Sequence, residues 1–559
     1  MQRRSRRWFL GTSAGAMLGA CASANNRSSR PAGARAATLV LTNGVVWTGD
    51  AKQPRAQAIA IAGDTIVALG DDRDVRALAA ADTPVLDLAG GMAVPGLVDA
   101  HAHLVGLGRS LEVVDLRGAR SIDEVVARLL AGAPKTGWVL GRGWDQNLWP
   151  GAAMPTHAPL TAAFPDRPVW LRRVDGHAGW ANRTVLELAK IDRATTAPAG
   201  GEILRDGGEP TGVLVDAAMG LVSPPPATKA DVRRWILAGA AHALARGLTG
   251  MHEMGIDADE DAIYRELASA GELPLRVVAY ASEGWLDAGF GERVRDEVRP
   301  DAHYLLRGVK LYADGALGSR GAALLADYAD RAGHRGLMQQ TPAELLARCE
   351  ACVRGGWQIA THAIGDAANR AVLDAYASAL QRVPVADARL RIEHCQILDL
   401  ADIPRFAELG VVASMQPTHA TSDMPWVPDR VGTTRLAGAY AWRRILAAGV
   451  PLAFGSDFPV EDVEPTHGLY SAITRRDPQG QPAGGWLPDQ TLTLVEALAA
   501  FTRGAAFASH REDHLGMVRV GMKADLTCFA TPLDEREPLA IRDAEIRATI
   551  VAGAPVFTR

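Results

Sequence analysis

Residues 90–104 read GGMAVPGLVDAHAHL, an apolar run that ends in Asp99 and in two histidines one residue apart, His101 and His103. The apolar run predicts a buried strand, and side chains two positions apart in a strand point to the same side. Both imidazoles are therefore expected to face one volume. An H-x-H pair alone is equally compatible with two solvated loop histidines, so the rest of the chain has to separate the two interpretations.

Length and composition describe a large globular protein. The chain has 559 residues, of which 48% are hydrophobic and 57 are glycine. This predicts several domains, or one large barrel with additions. With a net charge of −5, the protein has no strong positive potential that would attract the phosphates of a nucleic acid. Nucleic acid is therefore not expected as a partner. The five cysteines are too few for a disulfide scaffold.

Residues 1–24 have the order of parts of a signal peptide: a basic start, a short apolar stretch and small residues. The segment SRRWFL at 5–10 resembles a twin-arginine export signal, and LGAC, which ends at Cys21, resembles a lipoprotein cleavage box. Residues 25–37 are expected to form a flexible linker. We therefore expect a periplasmic or otherwise exported protein, which would touch the membrane only through a lipid anchor at Cys21. The alternative is a disordered cytosolic tail.

Short strands punctuated by Gly and Asp occupy both ends of the chain and predict a composite β-sandwich domain from 38–90 and 515–559. Between them, strands alternate with helical patterns, which is typical of a parallel α/β sheet or barrel. Eight strand candidates match the count of a (β/α)8 barrel. They are Met92–His101, Leu248–Glu253, Leu275–Tyr280, Gly308–Tyr312, Trp357–His362, Leu390–His394, Val411–Met415 and Pro451–Gly455.

The expected architecture is thus a distorted (β/α)8 TIM barrel over 91–514. A ninth strand candidate, Pro168–Arg173, lies in the long stretch 108–229 between the first two barrel strands. Barrel connections are normally far shorter, so this stretch is predicted to be an insertion subdomain.

Active sites of such barrels form at the C-terminal ends of the strands. Those predicted ends carry four imidazoles, one amine and one carboxylate: His101, His103, Lys310, His362, His394 and Asp457. Each has a structural alternative; Lys310 could be a buried salt-bridge partner and Asp457 could cap a helix. Because all six residues lie at predicted ends of barrel strands, they favour a shared site for a divalent metal, most of all zinc.

The same residues, with the strings GRGWDQNLWP, VDGHAGWANRTVL, VKLYADGALGSRGAAL, RIEHCQIL and GSDFPVEDVEP, resemble the amidohydrolase superfamily. The finer likeness is to amidohydrolase family 3, the branch that includes N-substituted formamide deformylase-like enzymes. The resemblance runs from about Thr38 to the C-terminus and implies a barrel with a split sandwich. It also implies that His101, His103 and Asp457 hold one ion and that His362 and His394 hold a second. Lys310 matches the position where relatives carry a carboxylated lysine that bridges the ions. The sequence is compatible with either one or two bound ions.

The implied reaction is hydrolysis of a C–N bond in a small amide, formamide or cyclic amide by metal-activated water, with Asp457 as the general base. An esterase or lactonase at the same site is an alternative, because a metal hydroxide attacks any polarised carbonyl. A third is an exported, non-catalytic metal- or ligand-binding protein. The sequence is also compatible with a homo-oligomer. Candidate substrate contacts, each equally compatible with a structural role, are His177, Trp144, Tyr312, Gln416 and His419.

Overall fold

The computed structural model describes residues 36–173, 178–198, 201–289 and 295–559. The predicted signal peptide, residues 25–35 of the predicted linker, and His177 lie outside these ranges. Within them, no helix is both long and apolar enough to cross a membrane. The chain divides into two compact units, one built from the segment up to His103 together with Ala240–Arg559, and the other from Leu104–Gly239.

The predicted barrel is confirmed: eight parallel strands pair with one another in chain order. We label them β1 Leu97–Ala102, β2 Leu248–Ile256, β3 Arg276–Ala281, β4 Tyr304–Tyr312, β5 Gln358–Ala363, β6 Arg391–His394, β7 Val412–Met415 and β8 Leu452–Phe454. Nearly every residue of these strands is buried, as expected for a parallel sheet covered on both faces. Beyond β8, Asp457 N donates to His101 O at 2.8 Å and His103 N donates to Phe458 O at 2.9 Å. These bonds join the last strand region to the first, so the ring is nearly closed.

The predicted first strand, Met92–His101, is in fact two strands. Met92–Pro95 pairs with Leu526–Phe529 in the sandwich, and only β1 belongs to the barrel. Gly96 separates them at a point of close packing, because a Cβ there would lie 2.2 Å from Thr249 Oγ1. A continuous apolar run contains no signal for the point at which one sheet ends and another begins.

Both ends of the chain build the sandwich, as predicted. One sheet contains Leu39–Thr42, Ala58–Ala62, Thr65–Gly70 and Val85–Asp87, and the other contains Val45–Trp47, Arg55–Ala56, Met92–Pro95, Leu526–Phe529, Ile546–Val551 and Ala554–Thr558. Their facing side chains form one core, to which Leu41 and Ile59 contribute from the first sheet and Leu526 and Ile550 from the second. Burial of this apolar surface holds together segments more than 400 positions apart in the chain.

Helices cover the barrel, and some of them begin with a side-chain cap. Thr341 and Glu344 form a capping box at the start of Pro342–Arg354, and Cys349 and Cys352 lie on the buried face of that helix, as expected for packed thiols. The other α-helices of this unit are Asp72–Arg76, Ala258–Ser269, Glu283–Asp287, Asp366–Arg382, Ile403–Leu409, Pro417–Asp423, Val427–Val431, Trp442–Ala447, Pro465–Thr474, Leu494–Ala499, Ala505–Ala508 and Pro538–Arg542.

The second unit, Leu104–Gly239, contains the predicted insertion and extends it at both ends. Its sheet consists of Val114–Asp115, Val139–Trp144, Val169–Arg173, Ala178–Ala181, Gly201–Asp206 and Glu209–Asp216. Its helices are Leu104–Leu111, Ile122–Gly132, Ala158–Ala163, Arg183–Leu188 and the start of Lys229–Leu244. Trp144 is fully buried in the core of this unit, where its ring lies 5.8 Å from that of Trp180 and its Nε1 donates to Leu171 O at 3.1 Å. The structure therefore gives Trp144 a packing role, and its substrate contact stays a prediction.

Candidate metal centre

The six predicted strand-end residues converge at one end of the barrel. His101, Lys310, His362 and His394 lie within β1, β4, β5 and β6, and His103 and Asp457 lie just beyond β1 and β8. His103 and His362 are half-buried and the other four are buried. The barrel topology thus brings residues from distant parts of the sequence to one site.

The first group of possible ligands is His101, His103 and Asp457, whose ligand atoms lie within 4.8 Å of one another. Asp457 Oδ1 is 3.2 Å from His103 Nε2 and 3.5 Å from His101 Nε2. Two imidazole nitrogens and a carboxylate oxygen are ligands that suit Zn²⁺. This group matches the ligand set that the family resemblance implies for the first ion.

The second group is His394, His419 and Asp457. Asp457 Oδ2 lies 3.8 Å from His419 Nε2, and that nitrogen is buried without a hydrogen-bond partner in the part of the chain that the structure describes. Asp457 therefore faces both groups, one with each oxygen. Sequence reasoning placed His419 among the substrate contacts, whereas the geometry puts it within reach of a metal ligand set.

His362 and Lys310 lie beside these groups. The His362 ring is 4.6 Å from the His394 ring between centroids, while His362 Nε2 is 3.5 Å from Asp314 Oδ1. The Lys310 amine lies 3.2 Å from His101 Nε2 and 5.2 Å from the centre of the Tyr312 ring. Both residues are close to the site, and their roles as ligands rest on the family resemblance.

The protonation states suit a metal. Burial, followed by the Lys310 charge, lowers the pKa of His101 to about 4, and burial lowers that of His362 to about 3. Burial by itself would raise the pKa of Asp457, but the neighbouring histidines hold it well below its ordinary value. Burial also lowers the pKa of Lys310 to about 8. Burial by itself would lower the pKa of His103, but its contact with Asp457 raises it, so a metal would have to displace a proton from that pair. Neutral imidazoles and an ionised carboxylate are the forms that bind divalent ions, and once this proton is released the donor set fits one.

Asp99 holds the two ends of the barrel ring in register beneath the site. It accepts hydrogen bonds from His101 N at 3.1 Å and from the Ser456 hydroxyl at 2.6 Å. A Cβ on Gly455 would lie 2.4 Å from Asp99 Oδ1 and 2.6 Å from His101 N, so that only glycine fits there. Asp457 follows with φ of 62°, a backbone conformation that is costly for a residue with a side chain and that tightly packed surroundings must enforce. These contacts fix the backbone at His101 and Asp457, whose side chains lie close together.

Glu393 is a functional residue that sequence reasoning missed. Its Oε2 lies 2.7 Å from His101 Nδ1, and Arg391 donates to both of its oxygens at 2.8 and 3.0 Å. All three side chains are buried. A proton on Nδ1 satisfies this contact and leaves Nε2 free to face Asp457. The signal was present in the sequence RIEH, because two charged residues at alternate positions of an apolar strand must face the same polar interior.

Two other predicted substrate contacts lie in the site. Gln416 Oε1 is 2.8 Å from His394 Nδ1, so Gln416 orients that imidazole as Glu393 orients His101. The Tyr312 ring lies 5.6 Å from the His362 ring, and Tyr312 N donates to Glu283 Oε1 at 2.9 Å. Their contacts with a substrate stay predictions, as does that of His177.

A parallel eight-stranded barrel with a split sandwich and a histidine–carboxylate group at its strand ends is the arrangement expected of a metal-dependent hydrolase of the amidohydrolase type. Comparisons with known proteins agree. A model of the amidohydrolase family matches residues 84–557. The chain is 33% identical to the protein LONG AFTER FAR-RED 3 of Arabidopsis thaliana, over 95% of this chain and 93% of that protein. It is 30% identical to N-substituted formamide deformylase of Arthrobacter pascens, over 93% of this chain and 98% of that enzyme.

Among solved structures, an uncharacterized metal-dependent hydrolase from Pyrococcus horikoshii OT3 is similar with a TM-score of 0.75 and 28% identity, covering 90% of this chain and 99% of that one. The chain belongs to the amidohydrolase family. The predicted family and fold are thereby confirmed, and the protein is a metal-dependent hydrolase of the class that acts on carbon–nitrogen bonds.

Proposed function

We propose that this protein hydrolyses the C–N bond of a small N-substituted amide, formamide or cyclic amide, with zinc as its metal. The observation that carries the proposal is the position of Asp457, which faces one imidazole group with each carboxylate oxygen, within 3.5 Å of the first group and 3.8 Å of the second. The similarity to a formamide deformylase over nearly the whole chain supports the choice of substrate class.

The residues that would hold the metal are His101, His103 and Asp457 for one ion, and His394 with His362 or His419 for a second. Such an ion, when bound, lowers the pKa of a water towards about 7 and polarises a carbonyl oxygen. Asp457 takes the proton of the attacking water on a carboxylate oxygen and returns it to the leaving nitrogen. Glu393 and Gln416 keep His101 and His394 in the tautomers that face Asp457.

We further propose that Lys310 is carboxylated on Nζ. Its amine is buried beside His101, and the neutral amine would add carbon dioxide with release of one proton to give a carbamate, whose two oxygens could serve as metal ligands. Lys310→Ala is then expected to lose metal and activity together, and short-chain carboxylic acids are expected to restore part of both. Crystallographic density for an unmodified amine in the metal-loaded enzyme would contradict this assignment.

The proposed activity is tested by elemental analysis together with a substrate panel of N-substituted formamides, other small amides, cyclic amides and lactones. We expect stoichiometric zinc and turnover of one amide class that stops on chelation. Active enzyme without stoichiometric metal would end the proposal. Turnover of lactones alone would replace it by the esterase or lactonase alternative.

We also propose that the protein is exported through its twin-arginine segment, on the order of parts in residues 1–24. Replacing both Arg6 and Arg7 by Lys is expected to leave the precursor inside the cell. Unchanged appearance of the double variant in the periplasm would count against this route, and the mass of the mature N-terminus would show whether Cys21 carries lipid.

A further inference from the structure

A small cavity lies at the end of the barrel opposite the metal centre. It is bounded by the beginnings of β1, β2 and β3 and by the segment 505–516, and its volume is about 20 Å³. Thr249, Arg276, Arg511 and Asp525 contribute polar atoms to its lining. A cavity of this size accommodates one water molecule or one monoatomic ion.

Arg511 is buried at this cavity and forms no ion pair with any residue that the structure describes. Its side chain is 2% exposed, and its Nη2 donates to Ala302 O at 3.0 Å. Among the residues that the structure describes, its Nε has no hydrogen-bond partner and no carboxylate lies within ion-pair distance of the guanidinium. A buried charge of this kind is costly unless an ion of opposite sign compensates it.

The neighbouring charges do not supply that compensation. Asp525 is engaged by Arg276, through Nε at 2.6 Å and Nη2 at 3.1 Å, and Arg276 Nη1 shares Ala302 O with Arg511 at 3.2 Å. His252 also lines the cavity, but its Nδ1 accepts a hydrogen bond from Arg391 at 2.7 Å, so it has no charge to add. Asp301 attracts both guanidinium groups only from a distance. In the part of the chain that the structure describes, the ion pair beside the cavity is the one between Arg276 and Asp525, and Arg511 has no contacting carboxylate of its own.

We propose that this cavity binds one monovalent anion of the size of chloride as the counter-ion of Arg511. A water molecule would fill the volume but leave the charge uncompensated, and polyatomic anions such as phosphate are too large for it. The anion would hold segment 505–516 against the beginnings of β1–β3. It would stabilise the fold and take no part in the reaction, because Asp457 lies at the other end of the strands.

The direct test uses crystals of the metal-loaded enzyme soaked in sodium bromide, with data collected at the bromine absorption edge. We expect an anomalous peak in the cavity beside Arg511. Density of a water molecule without anomalous signal would overturn the proposal. This measurement needs no variant, so it decides the question even if substitutions at Arg511 prevent folding.

The second test is thermal unfolding at constant ionic strength in sodium chloride and in sodium gluconate, whose anion cannot enter the cavity. We expect the melting temperature of the wild type to rise with chloride concentration. Arg511→Met, which keeps the length of the side chain and removes its charge, is expected to lose this dependence, whereas Arg536→Met, at a side chain 86% exposed, should keep it. Equal melting temperatures of the wild type in both salts, or unchanged chloride dependence in Arg511→Met, would refute the assignment.

Discussion

Asp457 combines two roles at the scale of a single residue, because it is a possible ligand and also the proposed general base. Asp457→Asn should lower turnover by about 10²–10⁴-fold, the usual contribution of general acid–base catalysis, while most of the metal is retained. The amide oxygen can still bind an ion but cannot accept a proton. The measurement is metal content beside kcat under identical metal supply, with His101→Ala as the comparison that should lose metal first. Near-normal turnover of metal-loaded Asp457→Asn would move the general base elsewhere, with His419 or His177 next to test.

Glu393 contacts the possible metal ligand His101 and would therefore affect the metal through that imidazole. Glu393→Gln keeps the size of the side chain but removes the charge that pairs with His101 and Arg391, so it should weaken the affinity for the metal by about 10–100-fold. Competition between the metal-free protein and a chelator measures this affinity without any substrate. Glu408→Gln, at an exposed position of the helix Ile403–Leu409, is the matched control. Equal affinity in both variants would show that Glu393 does not position His101.

At the scale of an element, the turn after β8 is set by backbone contact. Gly455→Ala places a Cβ within 2.6 Å of both Asp99 Oδ1 and His101 N, which forces β1 and the Asp457 loop apart. We expect a loss of about 1–3 kcal/mol in the free energy of unfolding, as for other overpacked sites, together with weaker metal binding. Denaturant unfolding and metal titration measure the two effects. Gly284→Ala, where a Cβ meets nothing within 4 Å and the residue lies in the helix Glu283–Asp287, should lower neither the stability nor the metal affinity. A variant at Gly455 as stable as this control would contradict the steric account.

The strand ends were predictable because a parallel barrel gathers one end of every strand at one mouth, so His101, Lys310, His362 and His394 could be placed from their position in the sequence alone. Finer geometry was not predictable in this way. The division between Met92–Pro95 and β1 follows from three-dimensional packing around Gly96, and an apolar run contains no trace of it. His419 lies in the helix after β7, and its approach to Asp457 depends on how that helix leaves the strand.

At the scale of the whole molecule, the sequence predicts the composite sandwich because both chain ends carry short strands with the same turn residues. The compact unit Leu104–Gly239 is longer than the predicted insertion 108–229, and Leu104–Leu111 and the start of Lys229–Leu244 show ordinary helical patterns that fit either unit. The burial of Arg511 and its hydrogen bond to Ala302 O are likewise invisible in the sequence, because a lone arginine usually lies in solvent.

The metal should also contribute to the stability of the whole barrel. The first ligand group joins β1 to the turn after β8, which are the two ends of the sheet, so an ion there would bind the folded ring and not the unfolded chain. Binding of the metal to the folded state alone then adds about 4 kcal/mol to the free energy of unfolding at a free metal concentration 1,000 times Kd.

We expect chelation to lower the melting temperature, to abolish turnover, and to raise hydrogen exchange first in β1 and in the segment after β8. Added zinc should reverse all three changes. In His101→Ala, chelator should change the melting temperature far less, because the ion is already lost. If loaded and stripped wild-type protein melted at the same temperature, the ion would not be closing the ring.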